Sequence, residues 1–349
     1  MIKVLIVDDS ALVRQTFKAL LDSDPQIKVI GTASDPYNAV QKIQKEKPDV
    51  ITLDIEMPKM DGITFLQKLM RQVSIPVIII SNQTVKGADV ALKALENGAV
   101  DVLTKPNLST DQLMEESRVL LIDKIKSAFY AGSKKRGSAP QKENTTVSSQ
   151  PGHIDDHVFN STVIAVGAST GGTEAIRQFL EGLPADMPPI LIVQHMPEKF
   201  TASFAQRLNT LCKLTVKEAV HNDLIVPRTV YIAPGNHHMS MISSGGKKYL
   251  QITDGDLVNR HRPSVNVLFN SVATFMGKKS IGIMLTGMGD DGATGMKAMY
   301  DKGAFTIAQN EATSVVYGMP QKAIKEGGVK EILPLYDIAS NVCDFLAKN

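Results

Sequence analysis

Short runs of β-branched and aliphatic residues recur along the chain, each ending in a turn that carries a charged, hydroxyl or imidazole side chain. In the first 130 residues five such runs fall at 4–7, 29–32, 50–53, 77–80 and 100–103. Between them, apolar residues sit at helical spacing over 11–21, 37–44, 63–70 and 89–96. Runs this rich in β-branched residues read as buried strands, and a helix between successive strands makes the sheet parallel. The pattern predicts a (βα)5 unit with helices on both faces. Such sheets hold their ligands beyond the carboxyl ends of the strands.

The rhythm breaks at 131–153, AGSKKRGSAPQKENTTVSSQPGH, which contains almost nothing large and apolar. A segment of that composition cannot offset the entropy of ordering itself, so it reads as a flexible linker, with Lys134, Lys135 and Arg136 solvated on the tether. Apolar runs then resume at 162–168, 190–194, 229–233 and 279–285, which predicts a second α/β unit with a parallel sheet. The expected division of the 349 residues is 1–130, a linker at 131–160, and 161–349. The two halves share a rhythm but no sequence, so no internal repeat is present.

Lys and Arg number 38 against 36 Asp and Glu, leaving a formal charge of +2, too balanced for the chain as a whole to act as a nucleic-acid or membrane-surface cation. Cys212 and Cys343 stand far apart without zinc-site spacing, which argues against a disulfide framework and fits a reducing compartment. No signal-peptide pattern opens the sequence, and no run of about 18 apolar residues occurs. The expectation is a cytoplasmic protein with no direct membrane insertion.

In the first unit, Asp8 and Asp9 end the first strand and Asp54 ends the third. Three carboxylates at one sheet edge repel each other, and a hard divalent cation such as Mg²⁺ relieves that repulsion. Ser81, at the end of the fourth strand, offers a hydroxyl to a phosphoryl oxygen, and Lys105, after the fifth, offers a positive charge. The set suits phosphoryl transfer to a carboxylate. With its motifs Val-Asp-Asp-Ser, Asp54-Ile-Glu-Met-Pro-Lys-Met-Asp-Gly62 and Thr104-Lys105-Pro106, this half resembles the response-regulator receiver domain from Lys3 to about Tyr130. The resemblance implies Asp54 as phosphoacceptor, Asp8 and Asp9 as the acid pocket, the Glu56 main-chain carbonyl as a further metal ligand, and Ser81 and Lys105 as phosphate contacts. Val102 stands where the family usually carries an aromatic residue, so an aromatic rotamer switch cannot operate in that form.

In the second unit, Gly167-Ala168-Ser169-Thr170-Gly171-Gly172 follows a strand and precedes a helix, placing Ser169 on a tight turn at a sheet edge. The G-x-S-x-G pattern alone equally describes a phosphate- or nucleotide-binding turn. The next strand ends in His195 one βα unit later, so it lies parallel and brings a base beside the serine hydroxyl. A later strand, 281–285, leads into Thr-Gly-Met-Gly-Asp290-Asp291-Gly292, where one carboxylate can orient the imidazole. Chemistry alone does not separate Asp290 from Asp291. His237 and His238 compete for the role of base, with a surface or hydrogen-bonded structural role the equal reading for each, and no third ligand stands near them at metal-site spacing. The order Ser, His, Asp differs from that of α/β-hydrolases and excludes that fold.

Four motifs, Gly-Ala-Ser-Thr-Gly-Gly-Thr-Glu-Ala, Val-Gln-His-Met-Pro, Tyr-Ile-Ala-Pro-Gly-Asn-His-His-Met and Leu-Thr-Gly-Met-Gly-Asp-Asp-Gly, make the whole chain resemble the CheB family of chemotaxis protein-glutamate methylesterases. The resemblance implies Ser169 as nucleophile, His195 as base and Asp291 rather than Asp290 as the orienting acid. It assigns the oxyanion to the main-chain N–H groups of Met288 and Thr170. It further implies hydrolysis of glutamyl γ-methyl esters on the cytoplasmic bundles of methyl-accepting chemoreceptors, deamidation of selected glutamines there, a chemotaxis histidine kinase as partner, and no cofactor for ester hydrolysis. An unphosphorylated receiver that blocks the active site belongs to the same expectation. A receiver driving a nucleic-acid-binding module is disfavoured, because Lys and Arg are scattered through the second half. A nucleotide-binding domain is disfavoured because the glycine spacing is not G-x-G-x-x-G and His195 stands where a ribose-binding acid belongs.

Overall fold

In a computed structural model, which describes residues 1–57, 62–82, 84–106, 109–135 and 156–349, the five N-terminal runs become β1 (Ile2–Val7), β2 (Ile27–Ala33), β3 (Val50–Asp54), β4 (Val77–Ser81) and β5 (Asp101–Thr104). All pair in parallel, in the order β2-β1-β3-β4-β5. The helices between and after them are α1 (Ala11–Asp22), α2 (Pro36–Lys45), α3 (Gly62–Gln72), α4 (Val85–Glu96) and α5 (Asp111–Lys135). Local chemistry starts several of them. Ser10 accepts from Val13 N, Asp35 from Asn38 N with Pro36 following, and Thr84 from Gly87 N, which satisfies N–H groups that the first turn of a helix leaves without partners. Val4, Ile6, Val50, Ile78 and Ile80 pack with Phe17, Leu21 and Ile125 in the core, and each such side chain contributes about 1.5–3 kcal/mol by leaving water.

Both ends of the expected linker differ from the sequence reading. Helix α5 runs to Lys135, past the expected linker start at 131, because its buried stripe of Leu121, Ile125 and Ala128 continues to Ala131. The far end of the expected linker holds another helix, α6 (Asp156–Ser161). Arg136 and the rest of the expected linker up to residue 155 lie outside the described residues, as do residues 58–61 of the Asp54 motif.

Within this half Lys124 and Asp101 form a buried ion pair, with Nζ and Oδ2 2.7 Å apart. Removing one partner of such a pair leaves the other charge buried and uncompensated. Lys124→Met is therefore expected to destabilise the N-terminal unit by about 3 kcal/mol, read as a lower urea midpoint for its unfolding transition in the full chain. An unchanged midpoint would show that the pair contributes nothing.

The chain divides into two units, Met1–Ala139 and Pro140–Asn349. After α6 the second continues with β6 (Val163–Ala168), α7 (Gly172–Glu181), β7 (Ile190–Gln194), α8 (Phe200–Leu211), β8 (Thr215–Glu218) and β9 (Thr229–Ile232). A hairpin of β10 (His238–Ser244) and β11 (Lys247–Thr253) follows, then α9 (Val265–Met276), β12 (Ser280–Met284), α10 (Ala293–Asp301), β13 (Phe305–Gln309), α11 (Met319–Lys325), β14 (Glu331–Leu333) and α12 (Leu335–Lys348). Seven strands form one parallel sheet in the order β14-β13-β12-β6-β7-β9-β8. Strand β6 lies between β7 and β12, so the loops after all three emerge side by side. Among the described residues no helix is long and apolar enough to cross a membrane.

Candidate active site

The turn after β6 carries Ser169. Gly171 takes a φ of +77°, which a residue with a side chain adopts only at a cost, and α7 begins at once behind it. The β6–β7 register pairs Ala168 with Gln194, and His195 N donates to Ala168 O at 3.1 Å, which sets the histidine backbone beside the serine turn. From the other side, Ser169 N donates to Thr286 O at 3.0 Å. At Gly287 an added Cβ would lie 2.8 Å from Ser169 Cβ, so only glycine lets this strand end pass so close.

His195 and Asp291 meet. Nε2 of the imidazole lies 2.8 Å from Asp291 Oδ2, with both side chains buried. Asp291 also accepts from Ser264 Oγ at 2.6 Å, Val265 N at 2.7 Å and Asn266 N at 3.2 Å, so the carboxylate doubles as the cap of α9. Burial opposes its ionisation, but the hydrogen bond and charge of His195, with the Ser264 and Val265 donors, prevail and hold the carboxyl below the usual carboxylate range. The other imidazole nitrogen, Nδ1, is buried and has no hydrogen-bond partner, so the Ser169 hydroxyl is not bonded to it in this structure. The His195 ring stacks on His261, centroids 3.7 Å apart and planes within 13°.

The competing groups are engaged elsewhere. Asp290 Oδ1 accepts from Asn259 Nδ2 at 3.2 Å, and His237 Nδ1 is bonded to Asp254. His238 accepts from Ser264 N at Nδ1 and donates from Nε2 to Asp256 O, which makes it a prop for the loop holding Asp291. Thr170 is buried beside Ser169, and Met288 directly follows Gly287 in the turn that passes the serine.

The order β2-β1-β3-β4-β5 sets the ends of β1, β3, β4 and β5 in a row in the N-terminal unit. Single ligand atoms of Asp8, Asp9 and Asp54 all lie within 4.8 Å of one another. Lys105 Nζ donates to Asp54 Oδ2 at 2.7 Å and stands 3.4 Å from Asp8 Oδ2, a buried atom in ion-pair range without a hydrogen bond. Burial pushes the Asp8 carboxyl up and the neighbouring Asp54 charge adds to it, against the Ser10 N–H and Lys105. Burial disfavours the Lys105 ammonium as well, yet the hydrogen bond and charge of Asp54, with the charge of Asp8, prevail and raise its pKa. Two buried carboxylates sharing one lysine, with one oxygen unbonded, fit a site for a hard cation. Ser81 is buried at the end of β4, Glu56 N donates to Asp54 Oδ1 at 2.9 Å, and Val102 is buried in β5.

A family model described as CheB methylesterase matches residues 164–342. The chain belongs to the CheB methylesterase family. A second model, the response regulator receiver domain, matches residues 4–118. A Geobacter metallireducens protein named protein-glutamate methylesterase/protein-glutamine glutaminase 3 is 53% identical over 347 residues, 98% of each chain. An Anaeromyxobacter dehalogenans protein of the same name, numbered 5, is 54% identical over 339 residues, covering 96% of this chain and 94% of its own. The crystal structure of the Thermotoga maritima CheB methylesterase catalytic domain superposes with a TM-score of 0.52 at 36% identity, over 53% of this chain and 98% of that one.

Sequence reasoning missed several groups that hold this CheB-family site together. Ser264 supports Asp291, the Thr286 hydroxyl donates to Thr170 O at 3.0 Å, and Gln194 Nε2 donates to Ser169 O at 2.9 Å. Gln194 alone carried a local signal, as the residue between a buried strand and His195.

Proposed function

We propose that the chain is a phosphorylation-regulated serine esterase that hydrolyses glutamyl γ-methyl esters on the cytoplasmic helices of methyl-accepting chemoreceptors, releasing glutamate and methanol during chemotactic adaptation. The same groups serve deamidation of selected glutamines. The supporting observation is the buried His195–Asp291 pair, with the unbonded Nδ1, at the sheet edge that carries Ser169.

Because Asp291 accepts at Nε2, neutral His195 carries its proton there and keeps its lone pair on Nδ1. Ser169 Oγ adds to the ester carbonyl as its proton passes to Nδ1. Asp291 stabilises the resulting imidazolium, and the N–H groups of Met288 and Thr170 bind the oxyanion. Collapse expels the methoxy group, which takes the Nδ1 proton and leaves as methanol. Water then adds to the acyl-serine, giving a proton to Nδ1 that returns to Ser169 Oγ as glutamate departs.

Residues 1–130 act as the receiver, 131–160 as the connection and 161–349 as the esterase, in a cytoplasmic protein with a chemotaxis histidine kinase as phosphoryl source. Asp54 accepts the phosphoryl group. Asp8, Asp9, Asp54 and the Glu56 carbonyl would hold Mg²⁺, which supplies positive charge against the incoming phosphoryl oxygens. Ser81 and Lys105 contact those oxygens, and Lys105 exchanges its bond to Asp54 for them. Methanol release from methylated receptor membranes tests the reading: a small phosphodonor should raise the rate severalfold, and Asp54→Asn should remove the response. A rate indifferent to phosphodonor in the native chain would overturn the regulatory half.

A further inference from the structure

Both peptide groups assigned as oxyanion donors have their carbonyls held from behind. The Ser169 carbonyl accepts from Gly172 N at 2.7 Å and from Gln194 Nε2 at 2.9 Å. The Gly287 carbonyl accepts from Gly318 N at 3.0 Å and Met319 N at 2.8 Å. Each carbonyl shares a planar peptide unit with the donor in question, Thr170 N–H in the first case and Met288 N–H in the second, so fixing one end fixes the direction of the other. Two accepted hydrogen bonds also polarise each unit and strengthen its N–H as a donor.

We propose that Gln194 and Gly318 are positioning residues for ester hydrolysis, which aim the two oxyanion donors through the carbonyls of Ser169 and Gly287. The proposal rests on the serine-esterase reading above. Packing alone does not account for Gln194. Its Oε1 is buried without a hydrogen-bond partner, a cost that an apolar side chain of similar length would avoid. What the amide gains is the bond to Ser169 O and a longer one, 3.3 Å, to His195 O, so one side chain ties the nucleophile turn to the loop of the base.

Gly318 makes the matching case at the second donor. Its φ of −102° and ψ of −69° do not demand glycine. A Cβ there would lie 2.8 Å from Gly287 O, 3.1 Å from Gly289 N and 3.1 Å from Met288 Cα, all main-chain atoms of the oxyanion turn. Glycine at 318 therefore leaves that turn where it stands.

The experiment compares the full-length chain with Gln194→Met, Gly318→Ala and Ser169→Ala, on methylated receptor membranes with a small phosphodonor. Each positioning variant should lower kcat about tenfold or more, as sub-ångström misplacement of catalytic groups does, with KM within about twofold. Affinity for a trifluoromethyl ketone analogue of the γ-ester, which forms an oxyanion on the serine, should fall by the same factor as kcat/KM. A merely structural role would not move the two in step. Unchanged kcat in both variants, a loss confined to KM, or a kcat loss with unchanged analogue affinity would each overturn the proposal while leaving the esterase reading intact. Full activity in Ser169→Ala would instead overturn the esterase reading. If Gln194→Met fails to fold, Gly318→Ala decides by the same readouts.

Discussion

Ser169→Ala is expected to lower methanol release by a factor on the order of 10⁴ or more, because the nucleophile and its base act as a unit and removing one removes nearly all of their joint effect. The fold should survive. Ser169 sits in a turn fixed through its own main-chain atoms, from its N–H to Thr286 O and from Gly172 N and Gln194 Nε2 to its carbonyl, and alanine keeps all three. Phosphorylation of Asp54 should continue undiminished, since Asp54, Lys105 and Ser81 belong to the other unit. Methanol release and phosphoryl incorporation measured on one preparation separate the outcomes. An alanine variant that retains more than about a hundredth of the activity would remove Ser169 from the chemistry. Joint loss of both activities would mean that the two units do not fold and function separately.

The parts of the fold that were legible in sequence are those written into contiguous windows. Strands β3, β4, β6 and β7 are buried throughout and β1 is buried from Val4 on, so each appears as a mostly apolar run, and Asp54, Ser81 and His195 stand at or just past a run's end. Strands β8, Thr215–Glu218, and β14, Glu331–Leu333, are short sheet-edge strands with partly exposed, polar-containing sequences, and no apolar run marks them. The β10–β11 hairpin buries Met239, Met241 and Leu250 among partly exposed, largely polar residues around a Gly245–Gly246 turn, so it carries no continuous apolar run. Nor does any window contain the sheet order, which brings β12 beside β6 across more than a hundred residues.

The site divides in the same way. Side chains that follow strands could be placed at an edge, but the choice between Asp290 and Asp291 turns on which carboxylate points at α9, and that depends on a loop closing against Ser264 from 27 residues away. Contacts of this kind leave no periodic trace in the chain.

Asp291→Asn tests that closure, and its expected effect is a loss of about 10⁴ in kcat with the fold retained. Asparagine keeps one oxygen in place of Oδ1, enough to go on accepting from the Ser264 hydroxyl and Asn266 N–H at the start of α9, while Val265 N–H, which shares Oδ2 with His195, loses its acceptor. Its amide nitrogen then faces His195, and an amide donor there draws the imidazole into the tautomer with its lone pair on Nε2 and its proton on Nδ1. The nitrogen left for Ser169 becomes a donor and cannot take the serine proton. Stability should respond with a definite sign as well. The folded pKa of Asp291 is depressed, so the carboxylate contributes stability that is fully present above its unfolded pKa and lost as pH falls through the folded value. Urea midpoints of the esterase transition, followed from neutral pH down through the carboxylate range, should therefore fall less steeply for Asp291→Asn than for the native chain. Parallel curves would show that this carboxylate carries no linked stability. An asparagine variant with native kcat would show that His195 keeps its working tautomer without the charge.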